Sequence, residues 1–273
     1  MSWPRRSIGQ SVALTEVLGL NHNNIFFSKP EMWRILGVVT LLTAVWGCAM
    51  TAGVVQPDQK IEGDRPGNMR TERILFLGNS ITRHEPARRL GWTNDWGMAA
   101  SALEKDYVHL LLDRFSGSHK RRPEAMIGAM GDFERKYDSC DVASLAKKYA
   151  DFKADVVILA IGENVPSLAT ADAKAKFRQA VAGLLEALRR DAAPAIFVRS
   201  CFWPEPVRAA ILREVCEAVG GVFVDISAIG RDESNHARSE RKFQHDGVAA
   251  HPGDKGMKAI ADAIWKALPK ETH

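Results

Sequence analysis

Four short blocks of this chain carry groups that acyl chemistry needs together. They are Gly78-Asn79-Ser80, Ile127-Gly128-Ala129-Met130-Gly131-Asp132, Ile161-Gly162-Glu163-Asn164, and the run from Gln244 to Pro252 that holds His245, Asp246 and His251. Transfer of an acyl group through a serine requires a hydroxyl, a base to take its proton, and donors aimed at the oxyanion that develops. Ser80 offers the hydroxyl, His251 an imidazole that titrates near neutrality, and Asn164 an amide donor. The glycines of the second block let backbone N–H groups approach a ligand closely. Gly-Asn-Ser by itself is also an ordinary turn, so the weight rests on the set and not on one block.

The elements that must position these blocks follow from hydrophobic pattern. Strands are expected at 73–79, 124–130, 155–161, 194–200 and 221–226, the clearest being the short β-branched runs Asp155 to Ile161 and Ala195 to Ser200. Helices are expected at 97–116, 141–152, 170–190, 204–219 and 253–268. In the third, Phe177, Val181, Leu184, Leu185 and Leu188 recur at helical spacing. Alternating strands and helices imply one three-layer α/β/α domain over residues 73–273, with a mainly parallel sheet of about five strands. Three of the four blocks directly follow expected strands, so a parallel sheet brings them to one edge. The fourth, before the last helix, folds back over that edge.

In order and separation the four blocks resemble those of the SGNH or GDSL hydrolases, a family defined by a Ser, a Gly, an Asn and a His in separate blocks, and the likeness runs from about Arg73 to Leu268. The resemblance implies a flavodoxin-like sheet and hydrolysis of esters. It makes Ser80 the nucleophile, assigns the oxyanion hole to Ser80, Gly131 and Asn164, with Gly128 the other candidate glycine, and gives His251 the role of base. Two departures stand out. Asn79 takes the place of the usual aspartate of the first block, and Asp246 lies five residues before His251, where the family usually spaces them by three. Asp246 is expected either to reach the imidazole and complete a triad, or to leave the ring to a backbone carbonyl and a Ser-His dyad.

The loop Gly91 to Gly97 is rich in aromatic and polar groups, and it has two readings. Trp92 and Trp96 pack over the sheet edge, or Trp92, Asn94, Asp95 and Trp96, joined by Trp203, line a substrate pocket where an indole stacks on a sugar. Glu85 and Glu163 are expected as exposed loop carboxylates. His245, Asp246, His251 and Asp254 match no common ligand spacing, so no metal and no cofactor is expected. The Gly-x-Ser-x-Gly elbow and the nucleotide-binding glycine motifs are absent from the sequence.

Ile35 to Val55 is free of charge, with Arg34 just before it and small residues after its most apolar part. That order is expected of an export signal within residues 1–55, with Gly47-Cys48 a possible lipidation site, an uncleaved anchor the alternative, and Met32 a candidate start. A Pro- and Gly-rich linker follows at 56–72. The expected location is therefore extracytoplasmic, with membrane contact only through this segment or a lipid on Cys48. The net charge of +4 comes from 37 basic and 33 acidic residues that are scattered along 273 positions, which speaks against a nucleic-acid partner. Of the four cysteines, Cys201 and Cys216 are candidates for a disulfide or for buried packing. The sequence thus points to an exported serine esterase acting on a small-molecule or polysaccharide ester. A lipase or thioesterase is the nearer alternative, and a non-catalytic carbohydrate-binding or surface-interaction module the more distant one.

Overall fold

A computed structural model describes residues 69–119 and 121–270. The expected export segment, Cys48 and most of the expected linker lie outside the described residues.

The strands are β1 (Arg73–Gly78), β2 (Glu124–Ala129), β3 (Val156–Ala160), β4 (Ala195–Arg199) and β5 (Val222–Val224). They form one five-stranded sheet in the order β2-β1-β3-β4-β5 with every pairing parallel, the flavodoxin-like arrangement. All five residues of β3 are buried, which is why that strand reads as a continuous apolar run and not as an alternation. β2 lies at the edge with a mostly exposed pattern, and its weak apolar signature follows from that place.

The helices are α1 (Tyr107–His119), α2 (Gly131–Arg135), α3 (Val142–Ala150), α4 (Ala171–Ala192), α5 (Pro206–Ala218), α6 (Ser227–Arg231), α7 (Asp246–Ala249) and α8 (Asp254–Ala267). Period-two alternation along the strands divides their side chains between two cores. Leu75, Leu77, Val157, Leu159, Ile196 and Val198 pack with α3, α4 and α5, where Phe177, Val181, Leu184 and Leu212 are fully covered. Ile74, Phe76, Val156, Ile158 and Phe197 pack on the other face with Tyr107, Val108, Leu111 and Phe115 of α1 and Met257, Ile260 and Ile264 of α8. The expected three layers are therefore present.

One expected helix starts about ten residues later than its apolar content implies. Residues 97–106 run as loop with a single 3-10 turn at Leu103–Lys105. The reason is Asp106, a fully buried carboxylate that accepts from the N–H of His109 at 2.8 Å and so caps α1. Its other oxygen holds the N–H of Gly97 at 3.1 Å and ties the preceding loop down. Cys140, Cys201 and Cys216 are free thiols, so the possible disulfide between the last two is not formed.

Register sets the site. Gly78 pairs with Ala129 on one side and Ala160 on the other, so β1, β2 and β3 end side by side. The first three sequence blocks leave the sheet at one edge as a result.

Candidate active site

At the end of β1 the chain turns at once. The Asn79 carbonyl accepts from the N–H of Thr82 at 2.9 Å and of Arg83 at 3.0 Å, while its side-chain oxygen accepts from Ile81 at 3.2 Å. Asn79 is thus a cap, and Ser80 is the first residue of the turn it caps. Gly78 is required just before it, because a Cβ there would collide with the Thr82 side chain. The turn leaves Ser80 half-buried, with its Oγ 2.9 Å from Nε2 of His251.

His251 sits between α7 and α8, 9% exposed. Its backbone carbonyl accepts from Ala237 at 2.8 Å and its N–H donates to Val248 at 3.0 Å, so the backbone that carries the ring is fixed on both sides. Nδ1 lies 2.7 Å from the carbonyl oxygen of Gly247. A carbonyl can only accept, so Nδ1 carries the proton and Nε2 is left as an acceptor facing Ser80. Burial pushes the imidazole down to about 4, against the opposing pull of the Gly247 carbonyl. The ring is therefore neutral at pH 7, as a base must be before it acts.

Asp246 does not complete a triad. It is exposed at the first position of α7, and the Nδ1 position is filled by Gly247. The residues between Asp246 and His251 include α7, and this turn of helix presents the Gly247 carbonyl to the ring. His245 accepts from the Gly247 N–H at 3.0 Å and so caps α7.

Gly131 opens α2, where the first N–H groups have no partner within the helix, and it lines the same cavity as Ser80. Gly128 is different: it is buried within β2, where a Cβ would collide with Leu77 and Tyr149. Asn164 also lines the cavity, and its Nδ2 donates to Oε2 of Glu134 at 2.7 Å. Glu134 is fully buried and not foreshadowed by any sequence block. Its Oε1 accepts from the Gly162 N–H at 2.6 Å, from Nδ2 of Asn79 at 3.1 Å and from the Asn164 N–H at 3.3 Å. Burial and the neighbouring Glu163 charge raise its pKa, and those hydrogen bonds oppose the rise.

Glu163 is not the exposed loop carboxylate expected of it. Its side chain is 1% exposed, bonded to Nη1 of Arg199 at 2.6 Å, to the Phe202 N–H at 2.9 Å and to Nδ2 of Asn79 at 2.7 Å. Burial alone would raise its pKa, but the Arg199 guanidinium and these bonds bring the balance below the usual carboxylate range. Gly162 has φ +124, and a Cβ there would collide with Cys201, so this loop can bend into the network only with glycine at that place. The visible signal for the network was an arginine closing the otherwise apolar β4.

The aromatic loop packs and does not line the cavity. Trp92 is buried, donates Nε1 to the His84 carbonyl at 3.0 Å, and meets Trp96 edge-on at 6.0 Å. Trp96 donates to the Ala100 carbonyl at 3.0 Å, and Asp95 pairs with Arg83 at 2.6 Å. None of Trp92, Asn94, Asp95, Trp96 and Trp203 is among the cavity-lining residues. Trp203 instead stands at 87° to the His251 ring with centroids 5.1 Å apart, its Nε1 donating to the Ala250 carbonyl at 3.2 Å. The cavity, about 470 Å³ and open to solvent, has apolar patches at Leu90, Met98, Ile127 and Val248 and a charged rim at Arg83, Glu85 and Arg135. Among the described residues no cluster of His, Cys, Asp or Glu is arranged to hold a metal, and no helix is long and apolar enough to cross a membrane.

No protein-family model and no curated protein matches this chain. Solved structures do. A family two carbohydrate esterase from Cellvibrio japonicus is similar at 16% identity and TM-score 0.46, over 74% of this chain and 60% of that one. A GDSL-like lipase from Bacteroides uniformis is similar at 13% identity and TM-score 0.47, over 72% of this chain and 95% of that one. A family 3 carbohydrate esterase from Clostridium thermocellum is similar at 18% identity and TM-score 0.46, over 72% and 95%.

Proposed function

We propose that this chain is an exported serine ester hydrolase of the SGNH type that works through an acyl-Ser80 intermediate. The observation that carries the proposal is the 2.9 Å contact between Ser80 Oγ and an imidazole whose tautomer leaves Nε2 free to accept. In the first step Ser80 Oγ attacks the ester carbonyl carbon while its proton passes to His251 Nε2. The tetrahedral oxyanion accepts from the Ser80 and Gly131 N–H groups and from the second Nδ2 hydrogen of Asn164. As the intermediate collapses, the C–O bond to the alcohol breaks and His251 returns the proton to the departing oxygen. Water then attacks the acyl-serine while its proton passes to His251; the bond from the acyl carbon to Ser80 Oγ breaks, His251 returns the proton to Oγ, and the acid is released. The Gly247 carbonyl keeps the ring in place and stabilises the transient imidazolium.

An O-acylated carbohydrate is the substrate we favour. The apolar patches beside Ser80 suit a short acyl group, and the open charged rim suits a hydroxyl-rich alcohol. Export rests on the uncharged run from Ile35 to Val55. A fluorophosphonate probe tests the enzyme reading: labelling of wild type that is lost in Ser80→Ala supports it, and no labelling of the folded protein favours a non-catalytic binding module. Acetylated sugars assayed beside aryl and long-chain esters then separate a carbohydrate esterase from a lipase or thioesterase. Product analysis with an added acceptor sugar separates hydrolysis from acyl transfer.

A further inference from the structure

We infer that Glu134, which touches none of the reacting atoms, is the positioning residue of the oxyanion hole, holding Asn164 in its donating rotamer and fixing its loop to the nucleophile turn. The inference rests on the ester-hydrolase reading.

The bonds of this one carboxylate are divided by function. Oε2 takes a single donor, Nδ2 of Asn164 at 2.7 Å. A side-chain amide has two hydrogens on nitrogen, so this bond uses one and leaves the other available to the cavity that Asn164 lines. Oε1 takes the N–H groups of Gly162 and Asn164, which fix the backbone of the same loop, and Nδ2 of Asn79, which belongs to the turn that presents Ser80. Glu134 itself lies three residues after Gly131 on α2. Nucleophile turn, glycine donor and asparagine donor are thereby referenced to a single buried group. Four converging N–H donors call for an acceptor with about four lone-pair sites and no hydrogen, which an ionised carboxylate provides and an amide does not.

A buried carboxylate of this kind also stabilises the fold, and coupling separates the two roles. In Glu134→Gln the carbonyl oxygen keeps the Oε1 bonds, while the new NH2 faces Nδ2 of Asn164 donor to donor. Volume is kept and the Asn164 side chain is released. Steady-state kinetics on an aryl acetate, with the active fraction titrated by a fluorophosphonate, give kcat per competent site. We expect Asn164→Ala to lower kcat by roughly 10²–10³, the cost of one oxyanion donor, and Glu134→Gln to lower it by at least about tenfold with KM little changed. In the Glu134→Gln background, Asn164→Ala should cost at least about tenfold less than it does in wild type, because the donor is already displaced. Full kcat in Glu134→Gln, or losses that multiply, overturns the inference. Should Glu134→Gln not fold, Glu134→Asp keeps the charge one methylene short of its partners, and wild-type kcat per titrated site there is equally fatal. If wild type lacks Ser80-dependent hydrolysis, the hydrolase reading fails first and the inference falls with it.

Discussion

Nδ1 of His251 donates to the carbonyl oxygen of Gly247 across 2.7 Å, so a backbone group holds the imidazole where a carboxylate is usual. The bond selects the tautomer as a carboxylate does, but it brings no charge to the developing imidazolium. Asp246, one residue earlier in sequence, is exposed and points its carboxylate to neither ring nitrogen. Asp246→Asn should therefore leave kcat within about threefold of wild type, whereas loss of a working triad aspartate costs about 10⁴. Ester hydrolysis at pH 7 by the purified variant decides between the two.

The buried, neutral ring also fixes the pH dependence. His251 has a pKa of about 4 against 6.5 in its ordinary state, so protons bind the unfolded chain more readily between those values. Stability from this residue is complete above about 6.5, is lost as pH falls toward 4, and changes no further below 4. Activity follows the folded value: kcat/KM should hold level down to about pH 5 and fall tenfold per unit below about pH 4. Denaturant unfolding of His251→Gln between pH 4 and 7 should lack the slope that wild type shows, and a wild-type acid limb near 6.5 would contradict the assignment.

Much of this arrangement was legible because strands and turns mark a sequence locally. β3 announced itself as an apolar β-branched run, and the register of Gly78 with Ala129 and Ala160 is what a parallel sheet does with three blocks that each follow a strand. The start of α1 is hidden in the sequence because apolar residues from 97 onward resemble a helix face, while the buried Asp106 that caps the helix looks like any other acid. The orienting group of His251 leaves no trace in residue type, since every residue has a carbonyl. Glu134, Glu163 and Arg199 lie far apart in the chain and meet only through packing, so the bonds they make are a tertiary property. Trp92 and Trp96 show the opposite case: aromatic side chains serve core and pocket alike, and here each indole N–H is spent on a nearby carbonyl.

Trp203 packs edge-on against the His251 ring, and burial is the largest cause of that ring's low pKa. Trp203→Ala admits water to the imidazole, relieves the desolvation that disfavours its charged form, and so raises its pKa toward 6.5. The acid limb of kcat/KM should move up from about pH 4 by at least one unit, and kcat at pH 7 should fall by about tenfold as the ring gains freedom. Trp203→Phe keeps an aromatic face but loses the bond to the Ala250 carbonyl, and its limb should move less. An unshifted limb in Trp203→Ala would leave Trp203 as packing alone.

Placing an aspartate at position 79, as the SGNH pattern usually has beside its serine, should do harm here. Nδ2 of Asn79 spends its two hydrogens on Glu134 at 3.1 Å and Glu163 at 2.7 Å, so the amide is the neutral link between two buried carboxylates. Asn79→Asp puts a third carboxylate oxygen against both, and one of the three must take up a proton or the network must open. The expected result at pH 7 is a loss of about 2 kcal/mol or more in stability and at least about tenfold in kcat. A carboxylate whose folded pKa is raised costs stability above its unfolded value near 3.9, so the deficit against wild type should shrink as pH falls toward 4. Glu163→Gln supplies a compensating change, because its oxygen can keep Arg199 and Phe202 while its NH2 donates to Asp at position 79. The double variant Asn79→Asp/Glu163→Gln should therefore be more stable than Asn79→Asp alone, although Glu163→Gln by itself weakens the pair with Arg199. Equal stability of Asn79→Asp and wild type across pH 5 to 7 would show that the two glutamates do not require the amide between them.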